Sequence, residues 1–128
     1  MDVIVKNLEN IELVVDNVNK TKFTFPDIEN LRGKKVKIID IPSVTELTVT
    51  PLGHANVNST VYSKSFLVLN VGGKEQVNRI PLKSLNPFAN NTRLFFDDLV
   101  IDWTRSYIEV GNTTGLVADE AFYLNVFF

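Results

Sequence analysis

Apolar residues in this chain come in short runs, and a turn signal closes almost every one of them. Lys22-Phe23-Thr24-Phe25 stops at Pro26-Asp27, Lys34 to Ile41 at Pro42, Thr45 to Thr50 at Pro51, and Tyr62 to Val71 at Gly72-Gly73. Runs of this length with such endings fit an antiparallel sandwich or barrel, whereas alternating strand-helix units need long helical patterns between the strands. Residue usage agrees. Valine, isoleucine and threonine number 36 of 128 residues, with nine phenylalanines and only four alanines. Branched and aromatic side chains suit a pleated, half-buried surface. The fold class is therefore all-β, a single antiparallel β-sandwich of about eight strands.

The pattern also places the strands. Ile11 to Val15 and Lys22 to Phe25 come first, and Asp27 to Gly33 can form one helical turn. In Lys34 to Ile41, strict alternation puts Val36 and Ile38 inward and Lys35 and Lys37 outward. Thr45 to Thr50 is a strand, residues 51–60 a polar loop, and Tyr62 to Val71 the next strand. A three-residue hairpin loop from Gly72 to Lys74 sets Leu69 opposite Val77 and keeps the apolar face together, since a one-residue slip would turn it outward. Residues 81–92 are irregular. Arg93 to Phe96, Leu99 to Trp103 and Ser106 to Val110 are three further strands. Ala121 to Phe128 is an apolar strand expected to lie inside a sheet, with Phe122, Leu124, Val126 and Phe128 toward the core. Its other set, Ala121, Tyr123, Asn125 and Phe127, is expected to face solvent or a neighbouring subunit. Residues 1–20 read as a possible N-terminal arm and 21–128 as the sandwich domain.

Several chemistries are excluded. With no cysteine there is no disulfide framework, thiol nucleophile or cysteine-held metal. A net charge of −2 argues against general nucleic-acid binding, which needs a basic surplus. No apolar stretch reaches the ~18 residues of a membrane helix, and the opening Met1-Asp2-Val3-Ile4-Val5-Lys6 lacks a basic leader. The single histidine, His54, reads as a loop residue, and no Gly-x-Ser-x-Gly elbow surrounds a serine. Asp97, Asp98 and Asp102 match no calcium loop and read as acids solvating a turn. Of Arg32, Lys34, Lys35 and Lys37, the pair Lys35 and Lys37 forms a candidate basic patch on a solvated strand face, where an anionic partner could meet the protein. Trp103 and Tyr107 are candidate core or interface residues, with a sugar-stacking platform as the competing reading. Four Asn-x-Ser/Thr sequons, at Asn19, Asn58, Asn90 and Asn112, are incidental in a chain with fourteen asparagines. No cofactor is expected and no enzymatic constellation stands out.

One cadence in the second half is familiar. The strand Phe66 to Val71 precedes Arg79-Ile80-Pro81-Leu82-Lys83-Ser84-Leu85-Asn86-Pro87; then come Leu99 to Ile108, with Asp102-Trp103 and Ser106-Tyr107-Ile108, and a final strand ending in paired Phe. Over roughly residues 20–128 this resembles the small single jelly-roll structural proteins of viruses, bacteriophage virions in particular. The resemblance implies a jelly roll of two four-stranded sheets and a non-enzymatic virion component, assembled in the host cytoplasm. The short chain implies a minor capsid, vertex or decorating role. It also implies other virion proteins as partners, a homo-oligomer, no membrane and no nucleic acid beyond the minor basic face. The alternative is a carbohydrate- or receptor-binding jelly-roll module.

Overall fold

The computed structural model describes residues 7–41, 54, 57, 59–72, 74–85 and 93–128. The strand expected over 45–50, most of the 51–60 loop, and residues 86–92 lie outside the described residues. Among the described residues there are eight strands: β1 (Leu8–Val14), β2 (Lys22–Thr24), β3 (Lys35–Asp40), β4 (Ser65–Val71), β5 (Lys74–Pro81), β6 (Leu94–Val100), β7 (Tyr107–Val110) and β8 (Ala121–Phe127). A short helix α1 (Ser59–Ser63) and three 3-10 turns, Glu29–Leu31, Leu82–Leu85 and Trp103–Arg105, punctuate them.

Pairing follows a simple rule. β1 pairs with β8, β2 with β7, β3 with β6 and β4 with β5, all antiparallel. The chain is thus one long hairpin with its tip between β4 and β5, and successive pairs alternate between two sheets. Contacts β3·β8 and β4·β7 then complete sheets ordered β1-β8-β3-β6 and β2-β7-β4-β5. The architecture is an all-β sandwich of two four-stranded antiparallel sheets.

Between the sheets lies a core that includes Ile11, Leu13, Phe23, Ile39, Leu67, Ile108 and the inward face of β8. Phe23, Ile108, Leu67 and Ile80 stand in one register row across the second sheet. From the first sheet, Phe122 meets Phe23 at 5.3 Å between ring centres and the edge of Tyr62 at 5.6 Å. Such aromatic contacts combine large apolar burial with a preferred geometry. Phe122, Leu124 and Val126 are buried, and Phe128 packs half-buried against the same cluster.

The described part of the possible N-terminal arm is edge strand β1, paired over seven residues with β8 of its own chain. Four expectations are corrected. The strand expected from Tyr62 begins only at Ser65, because Val61 and Tyr62 are neighbours that both need burial. A helical turn seats the two at 0 % exposure, closed by the Lys64 N–H and the Ser65 hydroxyl, both donating to the Val61 carbonyl. At the hairpin tip, Leu69 does face Val77, but Val71 faces Lys74, so the turn spans two residues. A bulge absorbs the extra residue, which lets the apolar register and the short turn coexist.

On β3 the alternation breaks between Val36 and Ile38. Val36, Ile39 and Ile41 enter the core, and Ile38 points to the outer face, opposite Phe95 and Phe127. The cause lies in β6, a single strand where two were expected. Four residue steps on β6, from Phe95 to Leu99, oppose two on β3, and Asp98 absorbs the surplus at φ +51°.

The last correction concerns β8. Ala121, Tyr123 and Asn125 do not face solvent; they are 0 %, 1 % and 9 % exposed. β3 leaves the β8 ladder at Asp40 opposite Asn125. Beyond that point the Tyr123 N–H donates to the Tyr62 hydroxyl (3.2 Å), and the Val57 N–H donates to the Ala121 carbonyl (3.1 Å). A central strand buried on both faces needs every backbone polar group partnered, and these two contacts satisfy groups that β3 no longer reaches.

Candidate interaction surface

The outer face of the β1-β8-β3-β6 sheet is organised in rows that follow the register. One row runs Leu8, Phe127, Ile38, Phe95 from edge to edge and is wholly apolar. Its ends are open, with Phe95 65 % and Leu8 49 % exposed. The next row is polar and self-satisfied. Asn10 donates from its amide to the Asn125 side-chain oxygen, and Asn125 donates to Asp40 Oδ1 at 3.0 Å. Arg93, just ahead of β6, closes the row with Nε 3.0 Å from Asp40 Oδ2, and its guanidinium lies over the Phe127 ring at 5.5 Å. A buried carboxylate is tolerated when paired and hydrogen-bonded in this way.

A third row joins Glu12 and Tyr123 to His54. The Tyr123 hydroxyl lies 2.9 Å from Glu12 Oε2 and 2.7 Å from the His54 carbonyl. Burial, and secondarily the Glu12 carboxylate, raise the Tyr123 pKa far above the ordinary phenol range, so it remains a donor at any physiological pH. His54 Nδ1 lies 2.9 Å from the Asp119 carbonyl, which makes that nitrogen the protonated donor, and Nε2 is 3.9 Å from Glu12. This trio ties a loop residue to the sheet.

The basic patch is smaller than its sequence implied. Lys35 is exposed, but Lys37 is half-buried with Nζ 2.6 Å from Asp98. Arg32 forms a two-pronged pair with Asp27 at 2.6 and 3.2 Å. The acids are equally dispersed. Asp97 is exposed, Asp98 belongs to Lys37, and Asp102 meets Arg105 at 3.5 Å and the Thr104 hydroxyl at 2.9 Å. Among the described residues, no group of three potential metal ligands converges.

Trp103 is 4 % exposed, and its ring meets Phe25 edge-to-face at 5.1 Å. Tyr107 is half-buried with the Lys22 ammonium 4.6 Å from its ring centre. Neither offers a bare aromatic plane. Trp103 does mark another feature, an open cleft of about 630 Å³ between the 27–33 connection and residues 100–105, which it lines in part. The buried Trp103 Nε1–H finds no acceptor among the described residues, a condition that costs about 1–3 kcal/mol when nothing else satisfies it.

Two carboxyls give opposite pH signatures. The hydrogen bond from Lys37 holds Asp98 below its usual 3.8, so folding gains from this pair above that pH and loses the gain as pH falls through the depressed value. Burial raises Glu120 above its usual 4.5, so its contribution is lost as pH rises through the raised value. Urea unfolding across about pH 2 to 7 checks both signs. The deficit of Asp98→Asn relative to the parent is expected to vanish at the acid end. Glu120→Gln is expected to gain on the parent as pH rises above Glu120's ordinary range. A reversed trend in either series contradicts the assignment.

Sequence reasoning missed Asn10, Asp40, Arg93 and Phe95 as a connected surface. Only Asn125, a polar residue in the middle of an apolar strand, signalled it. Comparison with protein-family models, with curated proteins and with solved structures finds no match.

Proposed function

We propose that this chain is a non-enzymatic structural module, a virion component of the minor capsid, vertex or decorating kind, which assembles with copies of itself through the outer face of the β1-β8-β3-β6 sheet. The observation that carries the assembly reading is the apolar row from Leu8 to Phe95, open at both ends. Exposed apolar surface rimmed by polar groups marks interaction sites, and here it lies at the two ends of the row, since Ile38 between them is only 5 % exposed. A second copy is the fitting occupant because the flanking charges are already internally paired, Asp40 with Arg93 and Lys37 with Asp98. Apposing two such faces sets these paired charges rather than bare ones against each other, and closed symmetry makes the contact self-complementary.

The virion assignment rests on the jelly-roll resemblance, to which the strand order lends support. Pairing first with last, second with seventh, third with sixth and fourth with fifth is how a rolled-up hairpin generates a jelly roll of two Greek keys. Such folds serve several functions, so the surface rather than the topology carries the assembly part of the reading.

Light scattering tests it. The purified protein is expected to show a defined oligomer, and Phe95→Glu to shift the mass to monomer with little change in melting, since Phe95 is largely solvent-exposed already. A parent chain that stays monomeric at high concentration sinks the proposal, as does an oligomer indifferent to Phe95→Glu.

A further inference from the structure

We infer that the cleft between residues 27–33 and 100–105 binds a neutral saccharide, an inference that goes beyond the assembly reading and stands without it. The walls carry two ion pairs, Asp27–Arg32 and Asp102–Arg105. Two carboxylates and two guanidiniums cancel, so the cleft is rich in donors and acceptors but has no net charge from these residues. An anion would have to displace an aspartate from each arginine, and Asp27 already engages Arg32 with both oxygens. A neutral polyol meets no such competition. Vicinal hydroxyls can bridge a carboxylate oxygen and a guanidinium N–H, each donating to one and accepting from the other.

Apolar lining complements that set. Ile28, Val100 and Trp103 contribute to the same cleft, and Val100 is 42 % exposed. The C–H face of a pyranose needs such a strip beside the polar groups, and sites of this kind combine apolar walls with a few placed polar groups. Trp103 lines the cleft with part of its surface, while its indole N–H is buried behind that wall and has no acceptor among the described residues.

Trp103 is the only tryptophan in the chain, so its emission reports on this cleft directly. Glucose, galactose and N-acetylglucosamine would be titrated separately to roughly 50 mM, well past a millimolar dissociation constant, with inorganic phosphate as the anionic probe. A saturable change with at least one sugar is expected, and none with phosphate. Arg105→Ala and Arg32→Ala replace exposed side chains and should retain the parent's circular dichroism. Each is expected to weaken the apparent affinity about tenfold, the worth of a charge-assisted hydrogen bond. Three results overturn the inference: no response to any of the sugars, a response to phosphate alone, or a sugar response unchanged in both folded variants. Because light scattering reads the assembly proposal and fluorescence reads this one, failure of either leaves the other standing.

Discussion

Removing residues 126–128 is expected to leave a chain that is insoluble or unfolded. The deletion takes Val126, which is fully buried, and the ladder contacts of Val126 and Phe127 with Glu9, Leu8, Ile39 and Ile38. It does so at the middle of a sheet, where β8 separates β1 from β3. Leu124→Ala tests the same strand without shortening it. Leu124 is 1 % exposed, and truncating such a side chain in a packed core costs about 2–5 kcal/mol. Typical domains have only ~5–15 kcal/mol in total. Asn125→Ala is also costly, because the amide donates to buried Asp40 and receives from Asn10; leaving such partners unsatisfied costs about 1–3 kcal/mol. Denaturant unfolding of the three variants gives the order. A truncated chain that melts like the parent would show that β8 is dispensable to the fold.

Gly111→Ala is the second change expected to be severe, and its cause is space rather than dihedral angle. A Cβ at Gly111 would sit 2.8 Å from the backbone oxygen of Lys64, the same oxygen that accepts the Gly111 N–H at 2.8 Å. Backbone cannot swing aside as a long side chain can. The substitution therefore pushes apart β4 and β7 beside the Ser65–Val110 register pair, at a cost of about 1–3 kcal/mol. Gly33 makes the contrast. Its Cβ would meet nothing within 4 Å, yet its φ of +70° lies in the left-handed region, so Gly33→Ala carries only the ~1–2 kcal/mol of that conformation. Equilibrium unfolding of both variants separates the mechanisms. Gly111→Ala should also weaken amide-exchange protection along β7, where Gly33→Ala leaves it intact. Equal protection in the two variants would remove the steric account.

The architecture was legible in the chain because branched residues, prolines and paired glycines act locally. Most of the described strands, the turn near Glu29–Leu31 and the inward set of β8 follow from period and punctuation. What escaped depends on contacts distant in sequence. Alternation placed Ile38 inward, and only the surplus residues of β6, sixty positions away, turn it outward. Asn125 looked solvent-facing because nothing near it in sequence announces Asp40 or Asn10 as partners. Lys37 counted as part of a basic patch until Asp98, held at an unusual backbone angle, met it. The same separation hid the surface proposed for assembly, whose apolar row takes one residue from each of four strands.

The long hairpin has a consequence for how the molecule is made. Its tip joins neighbours in sequence, while its open end brings Asn7 and Phe128 into two reciprocal backbone hydrogen bonds of 3.0 Å. Between these extremes each pairing spans more chain than the one before, a high contact order that slows folding to the millisecond-to-second range. During synthesis the strand destined for the middle of one sheet emerges after all the others. Until it arrives, β1 and β3 both present unpaired edges to whatever lies nearby, the condition under which nascent β proteins associate wrongly. The vulnerable interval of this sandwich therefore lasts until β8 has emerged, and its length is set by how quickly β8 finds the gap.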